Sequence, residues 1–462
     1  MTAPIIQFLG AADTVTGSRF LVSDGNYKVM IDCGMFQGEA EINERNSEKF
    51  PIDEASIDVI LLSHAHLDHS GYIPALVKNG FKGKIFCTEY TAKIAEVILI
   101  DSAHLQMTKA KYEENKIKRE ADPEVIYNAQ DVEKSLTHFN VIKVRERIEV
   151  LPNIFATFYL SGHILGSTYI VLEIAGKSLL FTGDLGRGNH PFLAGPDKPP
   201  TSHLDAVITE STYGDRTHDS PISDFGVEIL AAIKRGGSIL IPAFAVDRTE
   251  EILFELRKLV DAKVIPSLPI YIDSPMADKV IRHYREAITN ATLDIRPEIA
   301  EEFKVIDPFD PGHLRAMTST EESKLLNDIT EQSVIVSASG MATGGRIVYH
   351  LENMLPDPKN TVILVGFQAR GSRGLQLQQG AEKVRIHQSW VNVQAHIANV
   401  ESFSVHADSN EIISWLKNLA RPNEVFIVHG ELEGQEALQK RIQTELGWKA
   451  IIPMLAKEYP IA

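Results

Sequence analysis

Three histidines and an aspartate follow directly on an apolar segment early in the chain. The apolar run IDVILL predicts a strand buried on both faces, and HAHLDH follows at positions 64–69 after the single residue Ser63. Alternate residues of an extended segment point to one side, so His64 and His66 can reach one metal ion. Asp68 and His69 turn away at the start of the next helix and can serve a second ion. Imidazole and carboxylate at this density suit zinc or a similar divalent metal, whereas a polar surface loop is the alternative.

Further candidate ligands stand at the ends of other apolar runs. His163 ends FATFYLSGH, Asp184 ends SLLFTGD and His429 follows VFIV. Each alone is about as readily a hydrogen-bonded loop residue as a ligand, but their shared placement favours one common site. Asp184 is the natural bridging carboxylate, because its two oxygens can serve two cations. Asp32, at the end of VMID, is expected to hydrogen-bond a ligand histidine through the ring nitrogen that faces away from the metal ion.

The pattern of predicted strands and helices changes twice along the 462 residues of the chain. Up to about residue 212, short strands alternate with tight turns and helices, whereas the next segment alternates buried strands with helices, as parallel sheets do. From about residue 385 the sequence again predicts a strand-rich segment. We therefore predict one domain, formed by residues 1–212 and 385–462, that is split around an inserted domain at 213–384.

Composition limits the classes of protein to which the chain can belong. No apolar stretch is long enough to span a membrane, and the N-terminus has no basic flank of the kind that precedes a secretory signal. Only two cysteines are present, which favours reduced thiols and a cytoplasmic protein. The 46 basic and 62 acidic residues give a net charge of −16, which argues against indiscriminate binding of polyanions. Local basic patches and metal ions still allow a nucleic-acid substrate.

Together these motifs resemble the metallo-β-lactamase superfamily, and within it the β-CASP RNA-processing nucleases of bacterial type, related to the cleavage/polyadenylation endonuclease. The matching positions are Asp32, HAHLDH, His163 and Asp184, followed by Glu210 in ITESTYGDR, His406 in SFSVHAD and His429 in VHGE. SASGMATGGR and VGFQARGSRG are typical of the inserted domain. The resemblance covers essentially the whole chain. It implies an α/β fold, an αββα sandwich with an inserted parallel α/β β-CASP domain.

The resemblance also implies a role for each site residue. One zinc ion is bound by His64, His66 and His163, the other by Asp68, His69 and His429, and Asp184 bridges the two Zn²⁺ ions. Water or hydroxide between them is the implied nucleophile, with Asp68 also contributing to catalysis. His406 is the implied general acid, and Glu210 is the acidic partner that orients it. From the residues alone, caps of local turns and helices explain Glu210 and His406 equally well.

Candidate RNA contacts come from the inserted domain. Arg370 and Arg373 lie beside glycines that permit close backbone approach, and the loop with Ser337, Ser339 and Gly340 precedes a helix whose free amides could hold a phosphate. Ordinary tight packing explains that loop nearly as well. The expected partner is single-stranded RNA, and a homo-oligomer is compatible with the sequence. His104 and His396 lack comparable motif contexts, so we assign both a structural role.

The sequence thus predicts a zinc-dependent ribonuclease, an endonuclease that hydrolyses RNA phosphodiesters. Three alternatives stay open. A DNA-directed β-CASP nuclease characteristically lacks the histidine of VHGE, which is His429 here. A small-molecule metallo-hydrolase shares HAHLDH but not the insert. A noncatalytic RNA-binding subunit has lost metal ligands, whereas all seven positions are filled in this chain.

Overall fold

The computed structural model describes residues 3–117, 125–217, 223–366, 368, 371–400 and 403–461. The chain forms two compact units. Unit 1 comprises Met1–Thr217 and His406–Ala462, and unit 2 comprises His218–Val405. No helix among the described residues is both long and apolar enough to cross a membrane.

The strands are short, and most of them are buried. They are β1 (Ile5–Phe8), β2 (Phe20–Ser23), β3 (Lys28–Ile31), β4 (Val59–Leu61), β5 (Lys84–Cys87), β6 (Phe139–Val141), β7 (Arg147–Leu151), β8 (Ile154–Leu160), β9 (Thr168–Ile174), β10 (Lys177–Phe181), β11 (Ala206–Thr209), β12 (Ile239–Pro242), β13 (Ile270–Asp273), β14 (Leu314–Ala316), β15 (Val334–Ser337), β16 (Thr361–Val365), β17 (Lys383–Ile386), β18 (Ser389–Asn392), β19 (His396–Val400), β20 (Glu424–Ile427), β21 (Ala450–Ile451) and β22 (Glu458–Pro460).

Helices connect the strands of both units. They are α1 (Ala40–Glu44), α2 (Leu67–Ser70), α3 (Ile73–Lys78), α4 (Glu89–Ile117), α5 (Ala129–Leu136), α6 (Ser223–Arg235), α7 (Arg248–Asp261), α8 (Pro275–Thr289), α9 (Pro297–Glu302), α10 (Thr320–Leu325), α11 (Ile347–Met354), α12 (Arg373–Gln378), α13 (Ser409–Leu416) and α14 (Leu432–Arg441).

Unit 1 contains two seven-stranded sheets. Their strand orders are β22-β1-β2-β3-β4-β5-β6 and β21-β20-β11-β10-β9-β8-β7. The Asp24 carboxylate accepts hydrogen bonds from the amides of Asn26 and Tyr27 and thereby closes the turn of the β2–β3 hairpin. Strands β3 to β6 run parallel, so their carboxyl ends meet at one edge of the first sheet.

The core of unit 1 lies between its two sheets. Side chains from both inner faces, among them Phe8, Phe20, Phe158 and Phe181, form one buried cluster. A second cluster lies on the other face of the second sheet, where Trp415 and neighbouring apolar residues of α13 pack. Helices α3, α4 and α5 pack together beside the first sheet. The layers are therefore helix, sheet, sheet and helix, as the resemblance implies.

Unit 2 is built on a parallel six-stranded sheet of order β14-β13-β15-β12-β16-β19. Strands β12, β13 and β15 are buried throughout, which accounts for their continuous apolar sequences. Strands β17 and β18 form a separate antiparallel hairpin.

The second boundary between the units differs from the predicted one. Unit 2 extends to Val405, whereas the sequence texture places the end of the insert at residue 384. The reason is pairing, because β19 hydrogen-bonds along the whole of β16 and completes the sheet of unit 2. The first boundary, at Thr217, lies close to the predicted residue 212.

Candidate metal centre

The HAHLDH motif leaves the carboxyl end of β4 and enters α2, as the sequence predicts. The nitrogens of His64, His66 and His163 converge with Asp184 in one group whose ligand atoms lie within 4.8 Å of one another. His66 Nδ1 is 3.1 Å from Nε2 of His64 and 3.1 Å from Nε2 of His163. Three imidazoles and a carboxylate aimed at one point are a donor set suited to zinc.

A second group joins residues that are distant in sequence. Asp68, His69 and His429 bring ligand atoms within 4.8 Å of one another. The Nε2 atoms of His69 and His429 are 3.1 Å apart, and Asp68 Oδ2 lies 3.4 Å from His429 Nε2. β20 pairs in parallel with β11, and β11 pairs in parallel with β10, so His429 and Asp184 follow strands that end at the same edge of the second sheet.

Asp184 lies between the two groups. Its Oδ2 is 3.4 Å from Nε2 of both His64 and His163, whereas its Oδ1 is 3.3 Å from His69 Nε2 and 3.5 Å from His429 Nε2. Oδ1 is buried and has no hydrogen-bond partner among the described residues. A buried, orphaned carboxylate oxygen costs free energy unless a cation or donor meets it, so the site fits a bound metal ion.

The electrostatics of the cluster favour the protonation states that bind metal. Burial lowers the pKa of His64 to about 3 and also lowers the pKa values of His66 and His163, so these imidazoles favour the neutral form that can bind a metal ion. Burial opposes ionisation of Asp184, but the surrounding histidines hold its pKa well below the usual range.

His69 behaves differently from the other histidines. Burial works against its charge, but Asp184 and Asp32 raise its pKa well above the ordinary value. The carboxylates of Asp184 and Asp32 thus stabilise a positive charge at this position. A divalent cation can supply that charge as well as a proton can.

A layer of hydrogen-bonding groups lies behind the candidate ligands. Asp32 Oδ2 is 2.8 Å from His69 Nδ1, and the Ser63 amide and hydroxyl both donate to Asp32 at 2.7 Å. The sequence predicts the role of Asp32 but not that of two hydroxyl groups. Ser63 Oγ lies 3.0 Å from His64 Nδ1, and Thr212 Oγ1 lies 3.0 Å from His429 Nδ1. These contacts fix which nitrogen of each ring points to the metal group.

His406 and Glu210 form a pair beside the first group. His406 Nδ1 is 3.2 Å from Glu210 Oε2 and 4.0 Å from Asp184 Oδ2, and its ring centroid is 4.4 Å from that of His163. Glu210 is held in turn, since its Oε1 accepts a 2.7 Å hydrogen bond from the Leu185 amide. Burial alone would lower the pKa of His406, but Glu210, Asp184 and Asp68 raise it above the ordinary value.

The capping alternative for His406 does not fit the geometry. The N-cap of α13 is Asp408, whose carboxylate accepts from the amides of Asn410 and Glu411. Tyr213, which the sequence does not single out, packs edge-on against the ring of His406 at 6.0 Å between centroids.

Comparison with known proteins identifies the family. Residues 13–267 match the metallo-beta-lactamase superfamily, residues 249–377 the Beta-Casp domain, and residues 390–453 the Zn-dependent metallo-hydrolase RNA specificity domain. The chain is 36% identical to "Ribonuclease TTHA0252" of Thermus thermophilus over 94% of this chain and 95% of that protein. The chain belongs to the β-CASP branch of the metallo-β-lactamase superfamily. The predicted family, fold class and assignment to the metallo-hydrolases are thereby confirmed.

Two further β-CASP relatives, from different organisms, are also similar over nearly the whole chain. The "RNase J-like protein" of Methanocaldococcus jannaschii is 30% identical over 99% of this chain and 100% of that protein. The "Cleavage and polyadenylation specificity factor subunit 3-I" of Arabidopsis thaliana is 29% identical over 96% of this chain and 61% of that protein. A crystal structure of a protein of unknown function from Enterococcus faecalis shares the fold, with a TM-score of 0.54, 12% identity and coverage of 99% of this chain and 100% of that one.

The predicted RNA contacts lie in unit 2, and their side chains are not equally available. The Ser337 hydroxyl is buried and donates to the Asp273 carbonyl, whereas Ser339 is half-buried with its hydroxyl 3.3 Å from Thr343 Oγ1. Gly340 is buried, and its carbonyl accepts a hydrogen bond from Gln368. The structure therefore leaves Ser339 as the more accessible hydroxyl of this loop.

The structure describes only one of the two arginines that the sequence predicts to contact RNA. Arg373 directs its guanidinium at the carbonyl oxygens of Ala342 and Arg385, so it also joins two segments of unit 2. Arg370 lies outside the described residues. Of the two histidines assigned a structural role, His396 begins β19 and lies 3.7 Å from Glu228, and His104 lies on the exposed side of α4.

Proposed function

We propose that this chain is a zinc-dependent ribonuclease that cleaves single-stranded RNA internally and holds two Zn²⁺ ions per chain. The observation that carries the proposal is Asp184, whose two oxygens face two separate groups of candidate ligands. The RNA specificity domain and the ribonuclease name of a relative over nearly the whole chain support the choice of substrate. A cytoplasmic location stays a prediction.

Each proposed ligand has a defined place. His64, His66 and His163 would hold one ion, Asp68, His69 and His429 the other, and Asp184 would touch both. When bound, the ions supply positive charge that activates water and stabilises the charge developing on the phosphoryl oxygens. Asp32 and Thr212 keep His69 and His429 oriented for that task.

His406 and Glu210 would complete the reaction. Cleavage of a phosphodiester leaves an oxygen that needs a proton, and a protonated imidazole can provide it. Since Glu210 occupies the Nδ1 side of His406, we assign the transferred proton to Nε2. After transfer the ring is neutral, and Glu210 then favours its return to the charged form. Asp68 contributes to catalysis beside these two residues.

Unit 2 would contribute to substrate binding. Ser339 and the backbone around Gly340 are the proposed phosphate contacts of the 337–340 loop, while Ser337 shapes the loop through its bond to Asp273. Arg370 and Arg373 remain proposed contacts to RNA.

The direct test is incubation of the zinc-loaded chain with end-labelled single-stranded RNA and with DNA of the same sequence. We expect a ladder of internally cut RNA products, with little cleavage of the DNA. Asp184→Asn is the matched control, because it keeps the side-chain size and removes the charge shared by both ligand groups.

Three outcomes would contradict the proposal. Equal cleavage of DNA favours a DNA-directed nuclease, and release of mononucleotides only favours an exonuclease. Tight RNA binding without any cleavage favours a noncatalytic RNA-binding subunit.

A further inference from the structure

The β17–β18 hairpin of unit 2 has one buried and one exposed face. Val384 and Ile386 of β17 and Val391 of β18 are part of an apolar cluster of unit 2. Because side chains alternate along a strand, the other face carries Lys383 and Arg385 on β17 and Trp390 and Asn392 on β18. The register pairs Arg385 with Trp390 and Lys383 with Asn392, so all four lie side by side.

This exposed face, which we call the hairpin face, consists of Lys383, Arg385, Trp390 and Asn392. Trp390 is 68% exposed, whereas the other two tryptophans of the chain, Trp415 and Trp448, are 9% and 7% exposed. Among the described residues, the side chains of Lys383, Arg385 and Trp390 make no hydrogen bond, ion pair or ring contact. Lys383 and Arg385 thus place two positive charges beside an exposed indole in a chain with a net charge of −16.

A second aromatic group lies at the turn of the hairpin. The His387 ring stacks on Tyr349 of α11 with centroids 4.4 Å apart and an interplanar angle of 35°. Tyr349 is 57% exposed, and Oε2 of Glu352, on the same helix, lies 3.1 Å from His387 Nδ1. His387 and Gln388 both have positive φ values, as a two-residue hairpin turn requires.

Arg373 connects the hairpin to the proposed phosphate loop. Its guanidinium donates to the carbonyl of Arg385 on β17 and to the carbonyl of Ala342, which follows the 337–340 loop. The hairpin face and that loop therefore belong to one hydrogen-bonded part of unit 2.

We propose that the hairpin face binds single-stranded RNA, with Trp390 stacking on a base and Lys383 and Arg385 contacting flanking phosphates. The inference rests on the proposed function and adds a binding subsite to it. Stacking on an exposed aromatic ring combined with phosphate contacts from cations is the usual chemistry of single-strand recognition. Charge complementarity favours RNA as the occupant, because this face presents positive charge on an acidic protein.

The test measures RNA binding to the full-length Asp184→Asn chain, with a single-stranded oligoadenylate of about ten nucleotides as the probe. We expect the base stacked on Trp390 to quench tryptophan emission. Trp390→Ala should abolish this quenching and weaken binding roughly 5- to 150-fold, the effect of losing one stacked base. Trp390→Phe keeps an aromatic ring and should retain part of the affinity.

The cations have their own readout. Replacing Lys383 and Arg385 by Gln should reduce the slope of log K against log salt by about 1.4, since each contact to single-stranded RNA contributes about 0.7. Arg315→Gln is the matched control, because Arg315 is an exposed arginine of unit 2 on the edge strand β14. That variant should bind RNA as the unaltered hairpin does.

Two results would overturn the inference. One is RNA binding that neither quenches tryptophan emission nor weakens in Trp390→Ala. The other is a dimer in sedimentation that Trp390→Ala dissociates while RNA affinity stays the same, which would make the face an interface between copies of the chain. Cleavage of RNA by the unaltered chain is scored separately, so the proposed function can stand while this inference falls.

Discussion

At the scale of single residues, Glu210 favours the protonated form of His406. Glu210 is fully buried beside His406 Nδ1, and it is the largest of the contributions that raise the pKa of His406 against the effect of burial. A raised pKa keeps the imidazole protonated at higher pH, which is the form that a general acid needs. Protonated His406 is lost as pH rises through that pKa.

Glu210→Gln should therefore move the alkaline limb of the pH–rate profile for RNA cleavage to lower pH. The amide keeps the shape of the side chain but removes the charge that stabilises the imidazolium. The profile of kcat/KM against pH, recorded on the same RNA for both forms, measures the displacement. An unchanged limb would show that His406 does not supply the proton.

Paired histidine variants separate proton transfer from metal binding. His406→Ala should slow cleavage by roughly 10²–10⁴-fold with its zinc retained, and an RNA with a sulfur leaving group should recover most of that loss. His429→Ala should lower the zinc content instead, because His429 belongs to the second ligand group. Zinc loss in His406→Ala, or no rescue by the sulfur substrate, would contradict the assignment.

At the scale of elements, α2 is held in place by the loop after β3. The amides of Cys33 and Met35 donate to the carbonyls of His69 and Leu67, and the Ser18 amide donates to the Asp68 carbonyl. Buried Arg19 fastens the same loop, since its Nε donates to the Gly34 carbonyl at 2.7 Å and its guanidinium lies 4.2 Å from the Tyr72 ring centroid. The loop thus sets the position of two candidate ligands.

Gly34→Ala should disrupt the second ligand group. A Cβ atom at Gly34 would lie 1.6 Å from the Asp68 carbonyl oxygen, so α2 must move. We expect zinc content and RNA cleavage to fall together, with a lower midpoint of unfolding. Gly188→Ala is the matched control in unit 1, because nothing lies within 4 Å of its added Cβ. Full zinc binding by Gly34→Ala would show that α2 tolerates displacement.

The elements also show what local sequence encodes. The apolar run IDVILL predicts β4, because the preference for a buried strand is set by a few neighbouring residues. β19 belongs to unit 2 because it pairs with β16, and the local sequence pattern does not predict that pairing. Thr212 is not predicted for the same reason, since it meets His429 only after β11 and β20 are paired.

At the scale of the whole molecule, the candidate site gathers residues from position 32 to position 429. Motif order and strand ends predict which residues converge, and the structure brings all seven candidate ligands into two groups joined by Asp184. The RNA contacts are harder to predict, because a serine such as Ser337, at the end of β15, can equally well be committed to an internal hydrogen bond. Accessibility of that kind depends on packing rather than on residue type.

The central claim is that the two ligand groups form one dinuclear catalytic centre. Its most direct test removes metal with a chelator and then measures RNA cleavage and bound zinc as zinc is returned in known equivalents. We expect cleavage to be absent in the zinc-free chain and to saturate at about two zinc ions per chain, while Asp184→Asn stays inactive throughout. Full cleavage by the zinc-free chain, or saturation at about one zinc ion per chain, would contradict the claim.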